Sequence, residues 1–127
     1  MISLYDYLVH KYSGNEDEID IEFANIRQGL IALIIKGPIE KVIPQLVQVH
    51  KILHAWKDAE DINNGGCVDF ADDLIELFPD GRSIDLEEVM PDVIEHHSFF
   101  QYNELYYDSE TPCGVSDWKQ LPFFKRA

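Results

Sequence analysis

Residues 63–78 read NNGGCVDFADDLIELF and combine two glycines with a helical repeat. Apolar side chains fall at positions 67, 70, 71, 74, 75 and 78, which is the spacing of one face of an α-helix. Gly65 and Gly66 stand directly before this repeat, and glycine allows backbone conformations that other residues avoid. The pattern predicts a helix with Cys67 in its first turn, on the face that points into the protein.

A cysteine at the start of a helix is a candidate nucleophile. The first turn of a helix carries unpaired N–H groups and about half a positive charge, which favour the thiolate, the form that attacks carbonyl carbon. Cys67 is therefore predicted to be a reactive thiol. The alternative is a small buried apolar residue, since free cysteines are among the most often buried residue types.

Residues 97–108, HSFFQYNELYYD, are predicted to form a β-hairpin. Strand-forming residues flank Asn103 and Glu104, which have the composition of a two-residue turn. The pairs expected across this hairpin are Tyr102 with Leu105, Gln101 with Tyr106, and Phe99 with Asp108.

The hairpin register places His97 and Asp108 on one face of the sheet. Residues opposite each other share a face, as do residues two apart on one strand, so these two side chains are diagonal neighbours. His96 points to the other face. A slip of one residue in the register would exchange the positions of His96 and His97.

The order of these segments resembles the Cys-His-Asp core of transglutaminase-like and papain-like cysteine hydrolases. The matching pieces are GGCVDFA at 65–71, HSFF at 97–100 and YYD at 106–108, over roughly a third of the chain. The resemblance implies that Cys67 is the nucleophile, His97 the general base and later the general acid, and Asp108 the residue that orients the imidazole.

The resemblance leaves the oxyanion hole less well defined. Papain-like enzymes usually carry a glutamine upstream of the cysteine, and this chain has none nearby. Asn63 or Asn64 is the expected substitute, together with the backbone N–H of Cys67. The indole N–H of Trp56 is a further candidate by the resemblance to transglutaminases. Asn64 is equally expected as the N-cap of the Cys67 helix.

The composition indicates one acidic domain spanning residues 1–127. The chain has 24 acidic and 10 basic residues, a net charge of −14, and 46% apolar residues. This charge argues against binding nucleic acid through its phosphates. The sequence has no uncharged apolar stretch of about 18 residues and no basic leader, so we expect neither a membrane partner nor export. A cytoplasmic protein with reduced Cys67 and Cys113 follows.

Other segments predict helices before Cys67 and a short ordered tail. Two histidines, His50 and His54, have the spacing of a metal-binding pair, but no third ligand is evident, so we predict two surface or half-buried histidines and no metal or cofactor. Cys113 reads as a loop residue. The segments predicted before Cys67 are a helix after Ser3, a helix from 16 to about 36, either one kinked helix over 38–59 or a helix from Pro44, and a polar loop over 57–64. Residues 82–95 are predicted to form an edge strand or a loop. A short helix is predicted after Ser116, and the side chains expected to pack the tail on the core are Trp118, Leu121, Phe123 and Phe124.

The sequence therefore predicts an α+β fold, with N-terminal helices and a nucleophile-bearing helix on a small antiparallel sheet, papain-like by resemblance. The expected function is a cysteine hydrolase or acyltransferase acting on an amide, thioester or ester, with a peptide or small amide or ester as substrate. One alternative is an acidic binding or inhibitor protein with a basic protein partner. Another is a catalytically inactive member of the fold that binds a peptide.

Overall fold

The structure is a computed structural model that describes residues 2–126. Helices pack on a small antiparallel sheet, which confirms the predicted α+β class. The helices before the sheet are α1 (Leu4–Lys11), α2 (Glu16–Ala32), α3 (Ile39–His54), α4 (Ala59–Gly65) and α5 (Cys67–Leu77). Across the described residues, no helix is both long enough and apolar enough to cross a membrane.

Helix α2 ends four residues before the predicted end at Lys36. Its apolar run continues past Ala32, but Leu33 and Ile35 are each 77% exposed, so the run is only partly buried. The chain leaves the helix because the Gln45 side chain forms hydrogen bonds with both backbone groups of Ile35. Gln45 Oε1 accepts from the Ile35 N–H at 2.8 Å, and Gln45 Nε2 donates to the Ile35 carbonyl at 3.1 Å. The prediction of a helix to about residue 36 is therefore too long at its C-terminal end.

Helix α3 is one helix that begins after Pro38, with Pro44 inside it. Of the two alternatives for this region, the early start is right, but the helix stops at His54 because Ala55 takes a left-handed conformation at φ 56°. One face of α3 forms the centre of the core. Its buried residues are Ile39, Val42, Ile43, Leu46, Val47, Val49, His50 and Leu53.

Helix α4 corrects the predicted loop over residues 57–64. Asp58 is its N-cap, and the Asp58 side chain accepts a hydrogen bond from the backbone N–H of Asp61 at 2.9 Å. The Asp61 carboxylate in turn accepts from the N–H of Lys57 at 2.8 Å. These caps stabilise a short helix in a stretch whose polar composition resembles a loop.

The sheet contains β1 (Arg82–Asp85), β2 (Ser98–Tyr102) and β3 (Leu105–Tyr107) in the order β1-β2-β3. The predicted hairpin is confirmed: Tyr102 pairs with Leu105 and Gln101 with Tyr106. Asn103 and Glu104 form the turn with φ values of 50° and 66°, the conformation that a two-residue hairpin requires. Strand β3 ends at Tyr107, so the expected pair of Phe99 with Asp108 lies beyond the ladder.

The two faces of the sheet bury different partners. Phe100 and Tyr107 pack on one face with α3 and α5, whereas Phe99 packs on the other face with the tail. The tail, residues 109–126, contains a 3-10 helix (Trp118–Gln120) and α7 (Pro122–Lys125); α6 (Leu86–Val89) follows β1. The 3-10 helix is capped by Asp117 and not by the predicted Ser116. Trp118, Leu121 and Phe124 anchor the tail as expected.

A buried charge cluster joins α2, α3 and α5. Asp73 accepts a hydrogen bond from His50 at 2.6 Å and also pairs with Arg27. Burial by itself raises the pKa of Asp73, but the hydrogen bonds from His50 and Arg27 outweigh it and hold that pKa below its ordinary value. His50 is 1% exposed, which corrects the expected surface or half-buried position, while His54 is half-buried as predicted.

Within residues 2–126, no cluster of three or more His, Cys, Asp or Glu side chains could hold a metal.

We expect Asp73→Ala to lower the free energy of unfolding at pH 7 by about 3 kcal/mol, because it leaves buried His50 without its hydrogen-bond partner and removes one of the two carboxylates that pair with Arg27. A carboxylate with a depressed pKa stabilises the fold above its ordinary pKa and loses that contribution as the pH falls through its folded value. The difference in the free energy of unfolding between the wild type and Asp73→Ala should therefore become smaller below about pH 4. Urea unfolding at the two pH values measures both effects.

The matched control is Asp72→Ala, which removes an exposed carboxylate from the next position on the same helix. Its effect should stay within about 0.5 kcal/mol. Equal losses for the two variants would contradict a specific role for the Asp73 cluster.

Candidate active site

Cys67 is the first residue of α5, as predicted. Gly66 is the N-cap, with no side-chain cap, so Asn64 does not have the expected capping role; it lies in α4 and is exposed. Gly66 has φ −116°, which is open to any residue. The glycines are required for another reason: a Cβ on Gly65 would lie 2.7 Å from the Trp56 ring, and one on Gly66 would lie 2.8 Å from its Nε1.

The Cys67 thiol receives backbone N–H groups but is not activated in this conformation. Burial raises the pKa of the thiol, and the N–H groups of Ser98, Val68 and Cys67 itself lower it by less. The net pKa is above its ordinary value, which corrects the expectation of an easily ionised thiol. The first-turn N–H groups are present as predicted, but desolvation of the sulfur outweighs them.

A narrow cleft, here called the thiol cleft, surrounds the sulfur. Cys67, Asn63, Ser98 and Asp108 line its polar side, and Phe70 and Phe100 are among its apolar residues. The cleft has no space for a water molecule. A substrate must therefore reach the sulfur from outside this cleft.

His97 is buried beside the tail. Its side chain is 2% exposed, and its ring stacks on Phe123 with 3.7 Å between centroids and 3° between planes. Among the described residues, neither ring nitrogen has a hydrogen-bond partner. Burial, with a smaller effect from the positive charge of Arg126 that Glu110 partly opposes, lowers the pKa of His97 to about 4. The imidazole is therefore neutral at pH 7. His96 is exposed.

Asp108 shares the thiol cleft with Cys67. Its Oδ1 accepts a hydrogen bond from the backbone N–H of Glu110 at 2.9 Å, and its buried Oδ2 has no partner among residues 2–126. Burial raises the pKa of this carboxyl, and the Thr111 hydroxyl, the Glu110 N–H and the Asn63 amide only partly oppose the effect.

The three expected catalytic residues are thus neighbours without being joined. Cys67 and Asp108 line one cleft, but no hydrogen bond links His97 to either of them in the described part of the chain. Alternation along β2 explains this: Ser98 and Phe100 face α5, so His97 and Phe99 face the tail. The sequence predicts which residues share a face but does not say which face meets α5.

The oxyanion candidates differ in availability. The Asn63 amide already donates to Glu110 at 2.7 Å, and Asn64 is exposed away from the lining of the thiol cleft. The Nε1 of Trp56 is buried without a partner in residues 2–126 and lies against Gly66. Trp56 is therefore the expected donor that the structure leaves without a partner among residues 2–126, although it does not line the thiol cleft.

Sequence reasoning missed three contributors to the site. Ser98 lines the thiol cleft beside Cys67, and its backbone N–H lowers the pKa of the thiol. Glu110 connects Asn63 to Arg126, with Arg126 donating to the Glu110 carboxylate at 2.8 Å and 2.9 Å. The signal for Ser98 was its place next to His97; the Arg126 contact joins the last described residue to a loop and has no local signal.

An open cavity of about 260 Å³, here called the acidic cavity, lies next to the thiol cleft. His97 and Ser98 form one side of it. The rest of its lining includes Val68, Asp85, Glu87 and Glu95. The cavity therefore borders Val68, the residue that follows Cys67, whereas both ring nitrogens of His97 are buried.

Comparison with known proteins adds no relative to this description. No protein-family model matches the chain, and neither a curated protein nor a solved structure is significantly similar to it.

Alkylation by iodoacetamide should report the raised pKa of Cys67. We expect the labelling rate of Cys67 to rise with pH with a midpoint above the ordinary cysteine value of about 8.5, because burial disfavours the thiolate. Mass spectrometry of the modified peptides separates Cys67 from Cys113, which is free and exposed and serves as the internal reference. A midpoint for Cys67 near pH 6 would contradict this prediction and would indicate a thiolate stabilised in solution.

Proposed function

We propose that the protein is a cysteine hydrolase or acyltransferase that attacks an amide, thioester or ester through Cys67. The observation that carries the proposal is the His97 ring, buried without a partner on either nitrogen among the described residues and directly preceding Ser98, which lines the thiol cleft with Cys67. Buried polar groups without partners are rare, and a catalytic role is one of the recognised reasons for them. The resemblance to papain-like and transglutaminase-like enzymes supports the same assignment, and a papain-like fold is part of the proposal.

The reaction follows from a neutral thiol and a neutral imidazole. His97 takes the thiol proton as the Cys67 sulfur forms a bond to the carbonyl carbon. The backbone N–H of Cys67 and the Nε1 of Trp56 donate to the oxyanion. When the bond to the leaving group breaks, His97 returns its proton to that group, and an acyl-enzyme remains.

The second half of the reaction regenerates the thiol. Water or an amine loses a proton to His97 and attacks the acyl carbon, and the sulfur leaves and recovers the proton. Asp108 would orient the imidazole through its unpartnered Oδ2. Because His97 faces the tail, this requires the backbone before β2 to rearrange, with displacement of the tail, so that the imidazole leaves its stack on Phe123 and reaches the thiol cleft on the other face of the sheet.

A second candidate is the inactive member of the fold, which binds a peptide without cleaving it. The raised pKa of Cys67 and the closed thiol cleft favour this candidate, since both describe a sulfur that is not ready to attack. An acidic binding protein with a basic partner is the related alternative, supported by the net charge of −14.

Acyl transfer from p-nitrophenyl acetate separates an enzyme from a binding protein. We expect nitrophenolate release with an acetyl group on Cys67, and no adduct at that site in Cys67→Ala. His97→Gln should slow acylation by about 10²-fold or more, because the general base is lost. Stopped-flow absorbance and intact-protein mass spectrometry measure the two steps.

An exposed histidine outside the site provides the matched control. His10→Gln removes an imidazole on α1 that lines neither the thiol cleft nor the acidic cavity, and this variant should acylate at the wild-type rate. Thermal unfolding of both variants checks that His97→Gln is folded at the assay temperature. Acylation of folded His97→Gln at the wild-type rate, or of Cys113 alone, would overturn the proposed mechanism.

A further inference from the structure

We infer that residues 122–126, here called the flap, form an autoinhibitory contact that covers His97 and has to be displaced before acyl transfer begins. This inference rests on the proposed function and concerns the regulation of the same site. It is drawn from the ring that stacks on His97, from the low burial of the flap, and from the ion pairs that hold its far end.

Aromatic side chains of the flap cover the imidazole. Phe123 stacks on His97 with 3.7 Å between centroids and 3° between planes, and Phe124 meets the same ring edge-on with 5.7 Å between centroids. His97 is only 2% exposed, although the preceding residue, His96, is exposed. Two neighbouring side chains of α7 therefore cover the imidazole on the tail face of the sheet.

The flap is held less firmly than the segment that precedes it. Leu121, directly before α7, is 0% exposed and packs in the same cluster as Phe99, whereas Phe123 and Phe124 are only half-buried. The hydrophobic cost of displacing a segment scales with the apolar surface that it exposes to water. Displacing the flap alone therefore costs less than displacing the whole tail, and Leu121 can remain in place as the anchor of the chain.

A salt bridge closes the far end of the flap. Arg126 donates to the two carboxylate oxygens of Glu110 at 2.9 Å and 2.8 Å, and its Nε lies 3.5 Å from Oε1 of Glu60. Paired hydrogen bonds between a guanidinium and a carboxylate are stronger and more directional than a single one. The Arg126 side chain is 35% exposed, so water competes for this salt bridge and its closure is reversible.

The same salt bridge connects the flap to the thiol cleft. The Glu110 carboxylate accepts a hydrogen bond from the Asn63 amide at 2.7 Å, and the Glu110 N–H donates to Oδ1 of Asp108 at 2.9 Å. Asn63 and Asp108 both line the thiol cleft. The carboxylate that holds the flap closed thus also engages the amide of Asn63, one of the expected oxyanion donors.

The experiment uses the full-length protein and two substitutions in the flap. Arg126→Gln removes the salt bridges, and Phe123→Ala removes the ring that stacks on His97. We expect acylation of Cys67 by p-nitrophenyl acetate to be about fivefold faster in Arg126→Gln and about tenfold faster in Phe123→Ala than in the wild type. Each variant increases the fraction of molecules in which the flap is displaced, and the rate follows that fraction. Stopped-flow absorbance measures these rates.

A second measurement reports the flap independently of catalysis. Diethyl pyrocarbonate modifies accessible neutral imidazoles, and peptide mass spectrometry at pH 7 follows His97 with exposed His10 as the internal reference. His97 should react slowly in the wild type. Its modification should be faster by about fivefold in Arg126→Gln and about tenfold in Phe123→Ala, while the rate of His10 stays constant.

The neighbouring lysine provides the matched control. Lys125→Gln removes an exposed positive charge from the flap, and this lysine forms no salt bridge within residues 2–126. Both rates should remain at the wild-type value in this variant. Unchanged rates in Arg126→Gln, or an equal increase in Lys125→Gln, would overturn the inference. Because Arg126 is exposed, this comparison decides the matter even if Phe123→Ala fails to fold, which thermal unfolding detects.

The two proposals fail separately in these experiments. Faster modification of His97 in both flap variants, without acylation of Cys67 in any protein, would overturn the enzymatic proposal and retain the flap as a cover over the imidazole. Acylation that depends on His97 but has the same rate in the wild type and in both flap variants would retain the enzyme and overturn the inhibitory flap.

Discussion

The burial of α5 against α3 and β2 is the constraint on which the site depends. Phe70 and Leu74 are 2% and 0% exposed and join the same core as Phe100 and the buried face of α3. Each such side chain contributes roughly 2 kcal/mol when it is fully buried. Because α5 begins at Cys67, this packing fixes the sulfur against the backbone of Ser98. The thiol is positioned by apolar residues one and two turns farther along the helix.

The same burial opposes the reactivity that the position suggests. Desolvation raises the pKa of Cys67 and lowers that of His97 to about 4, so both groups are neutral at pH 7. A thiolate and imidazolium pair would need polar surroundings or water that the closed thiol cleft lacks. Proton transfer during the attack, with an uncharged starting pair, is the chemistry that suits this environment. A substrate that opens the cleft would also change the desolvation of both groups.

Local signals predicted some parts of the fold well. The start of α5 and the turn at Asn103 and Glu104 depend on residues close together in sequence, and both are confirmed. Helix α4 was missed because its polar residues are stabilised by caps and not by an apolar stripe. The side to which the His97 side chain points could not be predicted from the sequence. Side-chain alternation along a strand shows which residues share a face of the sheet, but it does not show which element packs on that face. That depends on the tail, whose packing on β2 is a long-range contact.

The covering of His97 by the tail has a consequence for motion. Helix α7 has four residues, and its connection to the rest of the protein includes the Phe123 ring on His97 and the ion pair of Arg126 with Glu110. No residue of α7 is buried, and segments with few buried contacts open locally at a small fraction of the free energy of global unfolding. Solvent access to the imidazole is therefore set by a local opening equilibrium of α7, and can change while the helical core stays intact.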